Sequence, residues 1–468
     1  MYARSLVMGL GVLAFACQPD YVHVLVETSS SELVGVPWTV SVRVYGAGQH
    51  TERDFASEFS LKDRFYRTDF NLVLGDTAPD RIDLRVAVWD APSRWSGDRL
   101  LQPPGGGQVL PILLSTGEIQ IGSARQDDGD LVSASRFHGG VAMGWLTTAG
   151  VAIRTERVID EPLGSEMLAA DDPAASKLRL ASQPTTESTG PEIVVAAWVG
   201  GDDQKTARMT ILDNNGAPGA PIDIRPSAKD VWVAVAPANM PFAIAALVQV
   251  DRVDEPDELW LSWHDADGTR RGEAKLPTGA NVTSINGLVV STATVVAAVQ
   301  TIVGSSLLRF TPGAASQPEP IPVDRVRAVA LAADQERVLT VQVRGDTMVV
   351  QPHKAGTLEP DPADPEPFAA TASLGFFDHL ALGPCAVVWP EERDDGTGAI
   401  DLRARDLDPD GRPTGASRLV NSEIEDNHFT PSVTCMSQEL AYATFLVVAA
   451  GEGTGFLRLR AIPSAPAE

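Results

Sequence analysis

The sequence predicts an all-β protein, with a small β-sandwich first and a large array of repeated strand units after it. Three observations carry that expectation. Between residues 20 and 114 apolar and polar residues alternate with a period of two, and no 3.6-residue spacing competes. From about residue 119 onward a block of apolar strand, polar loop, second strand and glycine turn recurs every 43 to 55 residues. The composition, 44% hydrophobic and 21% charged over 468 residues, supplies a large folded core and excludes a disordered or collagenous chain.

Taken in order, residues 1–16 read as an export signal. Arg4 supplies a positive charge, and Leu6 to Ala16 is an apolar run of 11 residues. That is short of the roughly 20 residues that cross a bilayer but suits the core of a signal peptide. Ala14-Phe15-Ala16 fits the small-x-small cleavage pattern, and Cys17 follows at once. A cysteine directly after the cut resembles a bacterial lipoprotein, in which that thiol receives a diacylglycerol. The resemblance covers the first 20 or so residues, and Ala14 and Phe15 depart from the usual lipobox. It implies a mature chain that begins at acylated Cys17 and sits in the cell envelope. Gln18, which is not the aspartate of inner-membrane retention, favours the outer membrane. A secreted or periplasmic soluble protein is the alternative, and no later run reaches spanning length. Cys385 and Cys435 remain, an even pair expected to form a disulfide in an exported chain.

Residues 17–114 carry the lipid-anchor site and the predicted sandwich. Val40, Val42 and Val44 alternate with Ser41, Arg43 and Tyr45, and Ile82, Leu84, Val86 and Val88 with Asp83, Arg85, Ala87 and Trp89. Tyr21–Thr28, Phe70–Leu74 and Val109–Leu114 add strands, and Pro103-Pro-Gly-Gly-Gly107 is a loop. In pattern this segment is similar to the immunoglobulin-like domains that follow the anchor in many bacterial lipoproteins.

Residues 119–468 hold the repeats. Ile193-Val-Val-Ala-Ala-Trp198, Phe242-Ala-Ile-Ala-Ala-Leu-Val248 and Ala386-Val-Val-Trp389 each lead through a polar loop to a second strand and a turn. The turn glycines Gly216, Gly268, Gly313, Gly356 and Gly411 lie 52, 45, 43 and 55 residues apart. A period near 50 with about four short strands per unit predicts a β-propeller. Seven units are expected, starting near residues 123, 178, 225, 278, 324, 368 and 422, with Ile119-Gln-Ile121 pairing to the last unit's inner strands to close the ring. The best copy, around Trp389 and Asp408-Pro-Asp-Gly411, resembles the degenerate propeller repeats of bacterial envelope proteins and lacks the Gly-His and Trp-Asp marks of WD-repeats.

Chemistry-bearing motifs are sparse. HExxH, GxSxG, the phosphate loop, CxxC and a strand-borne GxGxxG are all missing, and no two of the seven histidines stand at metal-ligand spacing. Asp406, Asp408 and Asp410 followed by Gly411 imitate a calcium loop, with Ser417 where a bidentate glutamate is expected. The same residues are what a hairpin turn needs, and turn chemistry also explains the copies ending at Gly216 and Gly268. Trp198, Trp263 and Trp389 stand at strand ends, where packing between repeats outweighs a sugar-stacking platform. Pro360 to Pro367 reads as a stiff acidic loop.

The net charge of −25 excludes non-specific nucleic-acid binding. Part of that charge gathers in the loops between second and third strands, which repetition places on one face. They hold Asp202 and Asp203; Asp251, Asp254, Glu255, Asp257 and Glu258; Glu391, Glu392, Asp394 and Asp395; and Glu452, against Lys205, Arg252 and Arg393 alone. The rim is either a solvated face or a docking face for an envelope protein's basic segment or for divalent cations such as calcium. The expected function is a non-enzymatic envelope lipoprotein whose propeller binds or scaffolds. The alternative is a propeller hydrolase or lyase acting on glycans or peptides, with paired carboxylates in the central channel.

Overall fold

The computed structural model describes residues 5–6, 21–28, 37–46, 49–62, 65–73, 82–89, 95–101, 109–113, 115–116, 119–124, 132–137, 140–156, 167–183, 193–201, 205–238, 240–252, 254–278, 281–291, 294–311, 320–361, 365–370, 380–392, 400–420, 427–435, 440–448 and 455–463. All elements among them are strands, and the chain divides into two compact units. One comprises Met1–Ile119, Glu392–Arg403 and Ala416–Glu425; the other comprises Gln120–Glu391, Ala404–Gly415 and Asp426–Glu468.

The first unit contains β1 (Ser5–Leu6), β2 (Tyr21–Thr28), β3 (Trp38–Gly46), β4 (Gln49–Ser57), β5 (Ser60–Lys62), β6 (Phe65–Val73), β7 (Ile82–Trp89), β8 (Trp95–Leu101), β9 (Val109–Leu113) and β10 (Ser115–Thr116). They form two sheets, ordered β1-β6-β2-β9 with β5 beside β6, and β10-β8-β7-β3-β4. Val22, Val24 and Val26 from one sheet meet Val40, Val42, Leu84, Val86 and Val88 from the other, with Phe59, Phe70, Leu72 and Ile112 filling the core. Strand alternation puts these residues on inner faces and His23, Glu27 and Asp69 outside, as a sandwich requires. Cys17 and the rest of the 7–20 segment lie outside the described residues.

The second part of the chain is a propeller. Its four-stranded sheets are β12 (Val132–Phe137) to β15 (Met167–Ala170) through β13 (Gly140–Leu146) and β14 (Val151–Glu156); then β16 (Ser176–Ser182), β17 (Val194–Gly200), β18 (Thr206–Leu212) and β19 (Ile222–Arg225); and β20 (Ala228–Val235), β21 (Ile244–Val250), β22 (Glu258–His264) and β23 (Arg270–Leu276). Next come β24 (Val282–Val290), β25 (Val295–Thr301), β26 (Gly304–Phe310) and β27 (Ile321–Val323), then β28 (Arg325–Leu331), β29 (Arg337–Arg344), β30 (Thr347–Lys354) and β31 (Pro367–Ala370). β32 (Ala381–Leu382), β33 (Ala386–Glu392), β34 (Ile400–Leu407) and β35 (Pro413–Leu419) follow, and β36 (Asn427–Cys435), β37 (Leu440–Val448) and β38 (Gly455–Pro463) are completed by β11 (Ile119–Ala124). The first strands touch in cyclic order, β12 on β16 and onward to β32 on β36 and β36 on β12.

Second strands such as β13, β17 and β21 are buried along their whole length because a neighbouring sheet covers each face. That is why they read as unbroken apolar runs instead of alternating ones. Apolar clusters lie between sheets: Val195, Ala197 and Met209 pack on Val233, Ile244 and Ala246, and Leu247 and Leu261 pack on Leu288, Ala297 and Leu308.

Three sequence expectations need correction. β11 joins the outer strand β38, not the inner strands of its sheet. The first repeat therefore opens at Val132, not near residue 123. The expected start near 368 falls on β31, the outermost strand of the preceding sheet, and the sixth first strand is the two-residue β32. Phe368 imitated a new strand because it packs inward on Trp389 of the next sheet, ring centroids 5.1 Å apart.

Candidate functional site

The hairpins between second and third strands share one face with the starts of the first strands, since Ser176 pairs with Val199, Ala228 with Val250 and Val282 with Thr301. One of these hairpins carries the acidic segment from Asp251 to Glu258. Its five carboxylates divide into two groups. Asp257 and Glu258 are internal struts. Asp257 Oδ2 accepts Gln249 Nε2 at 2.7 Å and Lys229 Nζ at 2.9 Å, and its backbone N–H donates to Asn281 Oδ1 at 3.0 Å. Glu258 accepts Lys275 and Arg252, each at 2.8 Å, on Oε1 and Trp260 Nε1 at 2.8 Å on Oε2. These donors, Lys275 foremost, hold its carboxyl down at about 2. The Arg225 guanidinium lies over the Trp260 ring, 3.9 Å from its centroid.

Asp251, Asp254 and Glu255 are exposed. They are nonetheless fixed, because the Asp251 N–H donates to Ser227 O at 2.9 Å and the Glu255 N–H to Arg252 O at 3.3 Å. Asp254 holds a φ of 64°. The loop thus presents three carboxylates from a tethered backbone. Elsewhere on the predicted rim, Glu391 is half-buried and Glu392 exposed, while Asp202, Asp203, Asp394, Asp395 and Glu452 lie outside the described residues. The equivalent hairpin of the next sheet carries no charge: its tip is Ile302-Val303, 70% and 81% exposed. Sequence reading missed Asn281, Gln249 and this tip.

Asp406, Asp408 and Asp410 do not converge. Asp408 Oδ1 accepts the Arg412 N–H at 2.8 Å, closing the hairpin turn, and Asp410 accepts Arg337 Nη1 of the preceding sheet at 2.7 Å. Among the described residues no three His, Cys, Asp or Glu side chains are grouped to hold a metal. The turn at Asp408 shares its backbone bonds with those at Asp213 and Asp265, each residue donating to the fourth one on and accepting from the third. Gly216, Gly268 and Gly411 end these turns at φ of 82°, 84° and 82°. A Cβ on any of them would strike the preceding sheet, at Thr155, Ile222 and Leu339 respectively. At each of these turns the backbone approaches the preceding sheet too closely for a side chain.

Trp198 and Trp389 are buried in the packing between strands, and Trp263 lies against Phe310 of the next sheet at 5.4 Å. Cys385 and Cys435 form a disulfide, the Cα atoms 5.8 Å apart, joining the sixth sheet to the first strand of the last. His264 and His353 are buried at matching places in their sheets. Their Nδ1–H groups donate to Gly268 O at 3.0 Å and Leu358 O at 3.1 Å, so Nε2 accepts, from Ser262 Oγ at 2.9 Å in one and from Thr340 Oγ1 and Gln342 Nε2 at 3.1 Å in the other. Burial holds both imidazoles below their ordinary pKa.

The innermost strands are basic where the rim is acidic. They carry Arg136, Lys177, Arg179, Lys229, Arg325 and Arg327 against a single carboxylate, Asp230, which accepts Val231 N–H at 2.8 Å and Trp232 Nε1 at 3.3 Å. Arg179 lies over the Trp232 ring at 4.3 Å. The carboxylate pair of a glycoside-cleaving channel is not supplied by these strands.

No family model matches this chain, and no curated protein resembles it in sequence. Similar solved structures include the β-propeller domain of the trilobed protease from Pyrococcus furiosus, at 10% identity over 74% of this chain and 100% of that one, TM-score 0.41. TolB from Acinetobacter baumannii matches at 10% identity over 74% and 81%, TM-score 0.38. The Dos1 propeller matches at 11% over 75% and 96%, TM-score 0.39. Similarities this distant bring no activity with them.

Proposed function

We propose that the chain is a non-enzymatic protein of the cell envelope, exported and anchored through an acylated Cys17, whose seven-bladed propeller binds a protein partner. An immunoglobulin-like sandwich at residues 17–114 serves as the spacer, with the outer membrane as the favoured site. The partner docks on the face of the second-to-third-strand hairpins through a basic segment. One observation carries this reading: the Asp251–Glu258 loop spends two carboxylates on internal bonds that tether its backbone, and directs the other three to solvent. A face that served solubility alone would need no such scaffold. Carboxylates held in place attract cations across about 8 Å at physiological salt.

The test measures binding of a lysine-rich synthetic peptide by the purified mature protein at two salt concentrations. Binding that weakens with salt, and falls in Asp251→Asn, Asp254→Asn, Glu255→Gln together, supports the reading. A triple variant that binds as the parent does overturns it.

A further inference from the structure

We infer that Ile302 and Val303 are the apolar anchor of this docking face, and that the partner segment is amphipathic as well as basic. The inference rests on the protein-binding reading above and specifies the partner's chemistry. Two adjacent β-branched residues at the tip of a tight hairpin are against turn chemistry, which favours Gly, Asn, Asp or Ser there. Most of their apolar surface is left in water, at 70% and 81% exposed. The corresponding tips in the first and fifth sheets are Thr147-Thr-Ala-Gly150 and Gly345-Asp346, as turn chemistry expects.

The tip is also held in place. The Ile302 N–H donates to Asn281 O at 3.1 Å, and Thr301 Oγ1 bridges the turn to Gly304 O at 2.9 Å and accepts the Val303 N–H at 3.3 Å. Asn281 is the residue whose side chain also takes the Asp257 N–H at 3.0 Å. One residue therefore fastens the acidic loop and the apolar tip into a single surface. Asp251, Asp254 and Glu255 stand on one side of the tip in ring order and exposed Asp346 on the other.

Charge complementarity names the occupant. An apolar knob flanked by carboxylates fits a segment with an apolar stripe between lysines or arginines. A second copy of this chain, at net charge −25, would bring like charge to the same place. An anionic lipid surface would meet the same repulsion.

The experiment compares three synthetic peptides of equal length by calorimetry: a basic amphipathic helix former, its scrambled isomer without the stripe, and an acidic amphipathic control. The parent protein is expected to prefer the first over the second by about tenfold, the scale set by a central apolar contact. Ile302→Ser with Val303→Asn, residues suited to the turn, should abolish that preference and leave binding of the scrambled peptide unchanged. If both basic peptides bind the parent equally, or the tip variant keeps the preference, the anchor is refuted while the acidic docking face stands. If the carboxylate triple variant binds both peptides as the parent does, the docking face itself fails. Tip-dependent binding to neutral phosphatidylcholine vesicles, with no peptide preference, would assign the tip to membrane and overturn the inference.

Discussion

Gly268→Ala tests whether the Asp-x-x-Gly turns fasten one sheet to the one before it. Two costs add at this position. The first is backbone strain, because φ is 84° and an L side chain in that region loses roughly 1–2 kcal/mol. The second is overlap, since the new methyl would fall on Ile222 Cδ1 of the preceding sheet, with Ile211 Cδ1 at 3.4 Å and Met209 Cε at 3.6 Å closing the space around it. Cδ1 is the end of a flexible chain, so the overlap should cost about 1 kcal/mol, the low end for overpacking. The expected total is about 2–3 kcal/mol. Gly345→Ala is the control, because its φ of 57° carries the same strain with no atom within 4 Å of the added carbon. Ile222→Val removes Cδ1 and should return about 1 kcal/mol of the Gly268→Ala loss as a coupling energy. Equilibrium chemical unfolding of the four variants gives every number. Equal losses for Gly268→Ala and Gly345→Ala, or zero coupling with Ile222→Val, would show that the turn touches its neighbour without fastening it.

Three further outcomes follow from the same geometry. His264 and His353 are neutral in the fold with lowered pKa, while in the unfolded chain they titrate near 6.5; the unfolded state therefore takes up more protons, and stability falls as pH drops below about 6.5. His264→Gln with His353→Gln should flatten that slope in unfolding curves between pH 7 and 5. Reducing the Cys385–Cys435 bond, which closes a loop across 50 residues, should lower stability by up to about 4 kcal/mol in the chain-entropy estimate, and two free thiols in the mass of the unreduced protein would remove the effect. Cys17→Ser should move the protein from the membrane pellet to the soluble fraction, and identical fractionation of both forms would refute lipid anchoring.

The second strands were legible because burial on both faces leaves an unambiguous apolar run, as in Val194–Gly200 and Ile244–Val250. Strands with an open edge were not. Gln49–Ser57 and Arg270–Leu276 are polar along much of their length, and pairing rather than burial makes them strands. Ala381–Leu382 is too short to carry any period. The carboxylates of the rim were visible as charge, but their division was not. Lys229 and Asn281 reach Asp257 from 28 and 24 residues away, and only the folded sheet brings them there. Ile302 and Val303 were hidden in a different way, since an apolar pair beside a strand reads as more strand.

The sheet that holds both ends of the propeller constrains when it can fold. Ile119–Ala124 is the first strand of this region to leave the ribosome, and its partner Gly455–Pro463 follows on the order of 330 residues later. Until that partner is made, the early strand has no edge of its own sheet to join. Contacts of such long range make formation of the closed ring slow and leave open sheet edges exposed in the meantime. A nascent chain cut short before residue 455 would lack the joint altogether. Synthesis of Gly455–Pro463 is therefore the step on which closure of the whole ring waits.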